Sequence, residues 1–362
     1  MHMLPKVLIA SLALASMATG GASSTGARGR NATQNEACPI PPAPARTSLP
    51  PIQTATSIKP SDNSTSTVIE PDAADQIRCG KTPLRAAANI VYARVPGTSE
   101  HGRELSLDLL APVSPGKFPL VVYITGGGFV TARKENAQNL RTYVAEQGFV
   151  VASVQYRTAS DGANFRDGVA DVKWAIRFLR AHAAEYHINP DRVVVWGESA
   201  GGYLAAMVGV TNGDPEFERG DYLDQSSGVQ AVVDKFGLSD GPDVAEDFNP
   251  EMNSFIAPGS PVARYLSDKG SAFPPAANPI SYIRPLNPPF LIFHGSNDRI
   301  VSPSQTLKLH NALRRAGVSS TRVVLIGAGH GDLGFIGDPQ GGLPWSTNQV
   351  MDIIVRFLRA SS

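Results

Sequence analysis

The strongest constraint on the fold is a repeated switch between continuous apolar runs and segments of helical character. "FPLVVYIT", "FVVASVQY", "DRVVVWG", "GVQAVVDKFG", "PPFLIFHG" and "RVVLIGAG" are rich in β-branched and aromatic residues and show little polar alternation. Such runs suit strands that are buried on both faces of a sheet. Helical sequence separates them, as in "ENAQNLRTYVAEQ" and "GGYLAAMVGVT". In "FRDGVADVKWAIRFLRAHAAEYH" the side chains of Val172, Ile176 and Leu179 recur at helical spacing. Ahead of these, "ANIVYARV" and "ELSLDLLAP" predict a strand pair, the second alternating cleanly. The pattern specifies an α/β chain with a doubly wound, mostly parallel sheet of about eight strands.

The catalytic domain is expected over residues 81–362. A stretch from about 239 to 287, rich in Pro, Asn and Asp, interrupts the alternation and predicts a small cap. Residues 24–80 are dominated by Pro, Ser, Thr, Asn and Ala, which bury little apolar surface to offset their ordering entropy. They are expected to form a disordered linker, with sequons at Asn31 and Asn63. Residues 1–23 read as an export signal: Lys6, then "VLIASLALASMA", then small residues. That apolar run is short for a bilayer span. A secreted or periplasmic protein without stable membrane insertion is expected. The two cysteines, Cys38 and Cys79, either pair in an oxidising compartment or remain free thiols. Lys+Arg and Asp+Glu both number 32, so no global charge attracts nucleic acid. Oligomeric state is not indicated.

In an open parallel sheet, ligands bind beyond the carboxyl ends of the strands. The residues just after each apolar run are therefore the candidates. "GESAG" places Ser199 between two glycines at a strand-to-helix switch, the pattern of a nucleophile held on a sharp turn. A serine needs a base to activate it. His330, in the glycine-rich "GAGHGD", is the leading base, while His294 is expected to support the acid loop and His310 to face solvent. Asp298, after "FLIFHG", is the leading acid that orients the imidazole, with Asp240 and Asp332 as weaker rivals. "TGGGF" offers main-chain donors for an oxyanion, and the amides of Gly127, Gly128 and Ala200 are the candidates. The loop lacks the lysine and spacing of a nucleotide-binding motif. Neither a cofactor nor a metal is called for.

On "VVYITGGGF", "DRVVVWGESAGGYLAAM", "PPFLIFHGSNDRIV" and "LIGAGHG" the chain resembles the α/β-hydrolase superfamily. More narrowly it is similar to exported serine esterases related to hormone-sensitive lipase and to bacterial acetylxylan/feruloyl (BD-FAE-like) esterases. The resemblance covers roughly residues 85 to 360. It implies Ser199 as nucleophile, Asp298 as acid and His330 as base, in the chain order of α/β-hydrolases. One departure stands out: Thr125 occupies the place of the histidine that usually precedes the three glycines. The expected activity is carboxylic-ester hydrolysis through an acyl-enzyme, on small-molecule or polysaccharide-linked acyl esters. Acetyl and feruloyl groups of plant polysaccharides are the leading substrates. A lactonase or peptidase would use the same triad, and a hydrolase fold serving only as a binding module would have lost part of it.

Overall fold

The apolar runs become strands, and their order explains where the site falls. A computed structural model of the protein describes residues 38, 54–95, 102–241, 243, 256–268, 271–331 and 342–361. The proposed export signal and most of residues 24–53 lie outside the described residues. The strands of the main sheet are β1 (Thr67–Ile69), β2 (Leu84–Val95), β3 (Arg103–Pro112), β4 (Phe118–Ile124), β5 (Val150–Val154), β6 (Ile188–Glu198), β7 (Ala231–Lys235), β10 (Phe290–Gly295) and β11 (Ser320–Leu325). The two-residue strands β8 (Ser267–Asp268) and β9 (Ser271–Ala272) form a separate antiparallel pair. Among the described residues the main sheet has nine strands, in the order β1-β11-β10-β7-β6-β4-β5-β3-β2. Neighbours from β1 to β5 run parallel, and β3 is antiparallel to both β5 and β2.

Helices cover both faces, as the apolar runs require. On one side Leu120, Val122, Ile124, Val195 and Ile292 pack with α2 (Phe165–Ala181), α3 (Ala200–Val210) and α5 (Pro303–Arg315). On the other, Val121, Tyr123, Val194, Val233 and Phe293 pack with α1 (Gln138–Glu146) and α6 (Asn348–Ser361). Full burial of each such side chain contributes about 1.5–3 kcal/mol. The predicted stripe on α2 holds: Val172, Ile176 and Leu179 are all buried. Its start is fixed by a capping box, in which Asn164 accepts the Arg166 amide and donates its own amide to Asp167. No helix among the described residues is long and apolar enough to cross a membrane.

The expected linker is corrected over residues 54–80, which bond to the sheet at 67–69 and to Ser346, Thr347 and Glu146 at 76–80. The unpaired edge of β11 takes up "TVI" as β1, the ninth strand, with Thr67 opposite Val323 and Ile69 opposite Leu325. Arg322, fully buried on β11, donates to Asn63 Oδ1 at 3.2 Å and Ser66 Oγ at 2.8 Å. The Ala55 amide donates to the Arg299 carbonyl, beside Asp298, at 2.8 Å. Cys38 and Cys79 form a disulfide whose sulfurs join the α1/α6 side of the core. A polar segment is thus ordered by partners distant in sequence and not by its own periodicity.

Of the expected cap, residues 239–241, 243, 256–268 and 271–287 are described, including α4 (Pro261–Tyr265). They pack onto α3, where the Tyr203 hydroxyl donates to the Ala277 carbonyl at 2.7 Å, and onto the glycine loop, where Phe129 stacks on Tyr265 at 4.6 Å.

The disulfide closes a loop with a sequence separation of 41 residues, for which chain entropy gives about 4 kcal/mol of stabilisation. Cys38→Ser/Cys79→Ser is expected to lower the unfolding free energy by about 2–4 kcal/mol in a denaturant titration. An unchanged midpoint would contradict a role for the arm in holding the fold.

Candidate active site

β6 ends at Glu198 and α3 starts at Ala200, so Ser199 makes the whole turn between them. Its φ of 55° and ψ of −120° lie where a non-glycine residue is strained by on the order of 1–3 kcal/mol. Two main-chain bonds hold it there: its amide donates to the Lys235 carbonyl at 2.9 Å, and its carbonyl accepts from Tyr203 at 3.0 Å. The glycines of the motif have a steric cause. A Cβ on Gly197 would collide with the Gly201 carbonyl, and one on Gly201 with the Ile124 carbonyl. Strand and helix therefore approach as closely as backbone permits.

β10 and β11 bring the other two residues to the same edge. His330 Nε2 lies 2.8 Å from Ser199 Oγ, and His330 Nδ1 lies 2.7 Å from Asp298 Oδ2. The carboxylate only accepts, so Nδ1 carries the proton and Nε2 is left to accept from the serine hydroxyl. The Asp298 and His330 loops are tied directly: the Asn297 amide donates to the Ala328 carbonyl at 2.9 Å. A side chain at Gly295 would strike the carbonyls of Ala328 and Gly329.

Asp298 is fully buried, and its Oδ1 accepts the amides of Ile300 and Val301 at 2.9 and 3.0 Å. Burial alone would raise its pKa. The electrostatic interaction with the His330 ring and hydrogen bonds from both His294 and His330 outweigh that and hold it well below the usual carboxylate range. His294 does support the acid loop. Its Nε2 faces two acceptors, the Val301 carbonyl at 3.0 Å and Asp298 Oδ2 at 3.1 Å, and so carries the proton. Its Nδ1 takes the Thr306 hydroxyl at 2.8 Å, and Thr306 in turn accepts from Arg322 Nε at 3.1 Å. Burial lowers the His294 pKa, only partly opposed by Asp298, so the ring stays neutral. A chain of donors thus runs from Arg322 to the acid.

The rivals fall elsewhere. Asp240 lies 3.8 Å from Lys308, and Asp332 is outside the described residues. His310, expected to face solvent, is corrected: it is buried on the inner side of α5, bonded to Ser320 Oγ at 2.8 Å and to the Thr65 carbonyl at 3.0 Å. The reason is the arm leading into β1, which covers that helix.

The glycine loop runs against the elbow. A Cβ on Gly126 would lie 3.1 Å from the Ser199 Cβ and 2.9 Å from the Glu198 carbonyl. Gly127 and Gly128 follow with φ of 147° and 59°, values that favour glycine. Ala200 opens α3, where the first amides of a helix have no partner within it. Thr125 is fully buried and does brace the loop. Its Oγ1 accepts from Asn136 Nδ2 at 3.1 Å and donates to the Gly126 carbonyl at 3.2 Å, while Tyr156 donates to its carbonyl at 3.0 Å. Among the described residues no group of three or more His, Cys, Asp or Glu is arranged to hold a metal ion.

Lys235, whose carbonyl holds the Ser199 amide, belongs to none of the sequence motifs. Its sequence signal is that Asp234 and Lys235 are two charged residues inside an otherwise apolar strand.

The BD-FAE family model matches residues 107–313, more than half of the 362. The chain is 30% identical over 223 residues to Esterase LipQ of Mycobacterium tuberculosis, covering 60% of this chain and 52% of LipQ. It spans about half the length of the curated relatives it matches. Among solved structures it is similar to the bifunctional GH43-CE protein of Bacteroides eggerthii, at 27% identity and a TM-score of 0.63 over 76% of this chain and 38% of that one. It is also similar to the propionate-bound thermophilic esterase Est2 of the Planctomycetes species Thermogutta terrifontis. There the identity is 26% and the TM-score 0.57, over 78% of this chain and 94% of that one.

Thr125→Val preserves shape and removes both hydroxyl bonds. If the hydroxyl sets the loop, turnover of any substrate processed at Ser199 is expected to fall about tenfold with KM little changed. An unaltered kcat would show that the loop needs no such brace.

Proposed function

Because the chain belongs to the BD-FAE family, we propose that it is a serine carboxylic-ester hydrolase acting on small acyl esters through an acyl-enzyme. One observation carries this reading: the continuous hydrogen-bonded path from Ser199 Oγ through the His330 ring to Asp298. Ser199 Oγ attacks the ester carbonyl as His330 Nε2 accepts its proton. The carbonyl electron pair collects on oxygen, facing the amides of Gly127, Gly128 and Ala200. Collapse expels the alcohol, which takes the proton from His330. Water then attacks the acyl-enzyme with His330 again as base, releasing the carboxylic acid and restoring Ser199. Asp298 stays ionised throughout, because its pKa is depressed, and so stabilises the imidazolium each time it forms.

For the acyl part, the reading is a short chain or an acetyl or feruloyl group on plant polysaccharide. It is supported by the likeness to a propionate-bound esterase and to a GH43-CE protein. For location, the reading is export. The apolar N-terminal run supports it, as does a disulfide of a kind that persists in oxidising compartments.

Aryl acetate and propionate are expected to be cleaved in preference to long-chain esters. Ser199→Ala should lose about 1,000-fold or more in kcat while keeping its circular dichroism spectrum. Since the base must be neutral to accept the proton, kcat/KM should fall as the pH is lowered and the imidazole is protonated. A profile without such an acid limb, or a fully active Ser199→Ala, would overturn the assignment.

A further inference from the structure

Lys235 is a buried cation beside the proposed nucleophile, and its burial needs a reason. Its side chain is 1% exposed and at the end of β7, level with Glu198 on β6. A lone ammonium there would carry a heavy desolvation penalty. Its Nζ donates to Glu198 Oε1 at 2.5 Å and lies 4.8 Å from the Trp345 ring centre, 5.7 Å from Phe236 and 5.8 Å from Trp196. It is a cation held by one carboxylate and three aromatic faces.

These contacts reach both halves of the site. Glu198 immediately precedes Ser199, and the Lys235 carbonyl accepts the Ser199 amide. The Trp345 indole donates to the Gly329 carbonyl at 3.1 Å, one residue before His330. Phe236 packs on the His330 ring at 4.6 Å and edge-on to Trp345 at 4.8 Å. Gly331 is glycine for the same reason, since a Cβ there would come within 2.8 Å of Phe236.

We infer that Lys235 is a positioning residue: its buried ammonium neutralises Glu198 beside the nucleophile and clamps the elbow to the His330 loop through Trp345 and Phe236. This rests on the reading of Ser199 and His330 as nucleophile and base. Without Lys235, the Glu198 carboxylate, one residue from Ser199, would be left with Tyr123 and Arg141, and its less balanced charge would oppose an oxyanion forming at Ser199. It would also favour the imidazolium form of His330 and so withhold the base. The other charged or titratable groups facing the pair are Tyr123 on β4 and Arg141 on α1, both reached by Glu198. Those facing His330 and its partner are Asp298 and His294, with Arg322 behind.

The test uses Lys235→Met, Glu198→Gln and the double variant of the full chain, with aryl acetate as substrate. Lys235→Met is expected to lower kcat about 10- to 100-fold with little change in KM. It should also move the acid limb of kcat/KM upward by on the order of half a pH unit. Glu198→Gln leaves the ammonium unpaired and should move the limb downward. The double variant should return both kcat and the limb most of the way to wild type, a rescue that mere loss of packing cannot give. The His330 ring-proton titration, identified in NMR spectra by its loss in His330→Gln, should follow the same three directions whether or not the ester is turned over. An aryl acetate left intact by the wild type would count against the esterase reading, while the NMR titration still decides this one. Limbs and titrations that do not move in opposite directions in the two single variants, or a double variant no better than Lys235→Met, would overturn the role of Lys235. If Lys235→Met does not fold, a downward move of the limb in Glu198→Gln that the double variant reverses supports the role, and a limb that does not move, or that the double variant leaves displaced, overturns it.

Discussion

The site depends on how closely one strand and one helix approach at Ser199. A side chain at Gly197 or Gly201 would drive β6, α3 and β4 apart through clashes with backbone carbonyls. Without that approach Ser199 could not be held at φ 55° between strand and helix. The strain is small against the burial of the surrounding parallel strands. It is sustained because neighbours fix both ends of the turn, β7 through the Lys235 carbonyl and α3 through the Tyr203 amide.

The sheet order supplies the remaining geometry. β7, β10 and β11 follow β6 in sequence towards one edge, all parallel, so their carboxyl-terminal loops emerge beside Ser199. Each loop is then locked by chemistry specific to it. The acid loop is held by its own amides on Asp298 and by His294, whose tautomer is fixed from Thr306 and Arg322. The base loop is held by Phe236 and Trp345. Arg322 also grips the N-terminal arm at Asn63 and Ser66, so a segment far from the chemistry shares a residue with its support.

Much of this was legible in the sequence because parallel strands must be apolar on both faces. The six buried strands, α2 and the sites of Ser199, Asp298 and His330 follow from where apolar runs end. What was not legible depended on partners distant in the chain. "TVI" sits in a polar stretch with no periodicity of its own, and only the open edge of β11 makes it a strand. His310 lies on a helix whose inner face looks solvated until the arm is laid over it. Thr125 was seen to replace a histidine, but its partner Asn136 stands 11 residues on and belongs to no recognisable pattern. In the sequence Lys235 is only part of an apolar strand, since a charge there makes sense only once Glu198 and three aromatic rings surround it.

Ser199, as a nucleophile activated by His330 within this geometry, should react with a serine-directed phosphonylating agent. The most direct measurement treats the folded protein with a fluorophosphonate and locates the added mass by peptide mapping. One adduct per chain on Ser199, absent from Ser199→Ala and strongly slowed in His330→Ala, is the predicted result. Absence of an adduct on the folded protein, or an adduct on another residue, would contradict it.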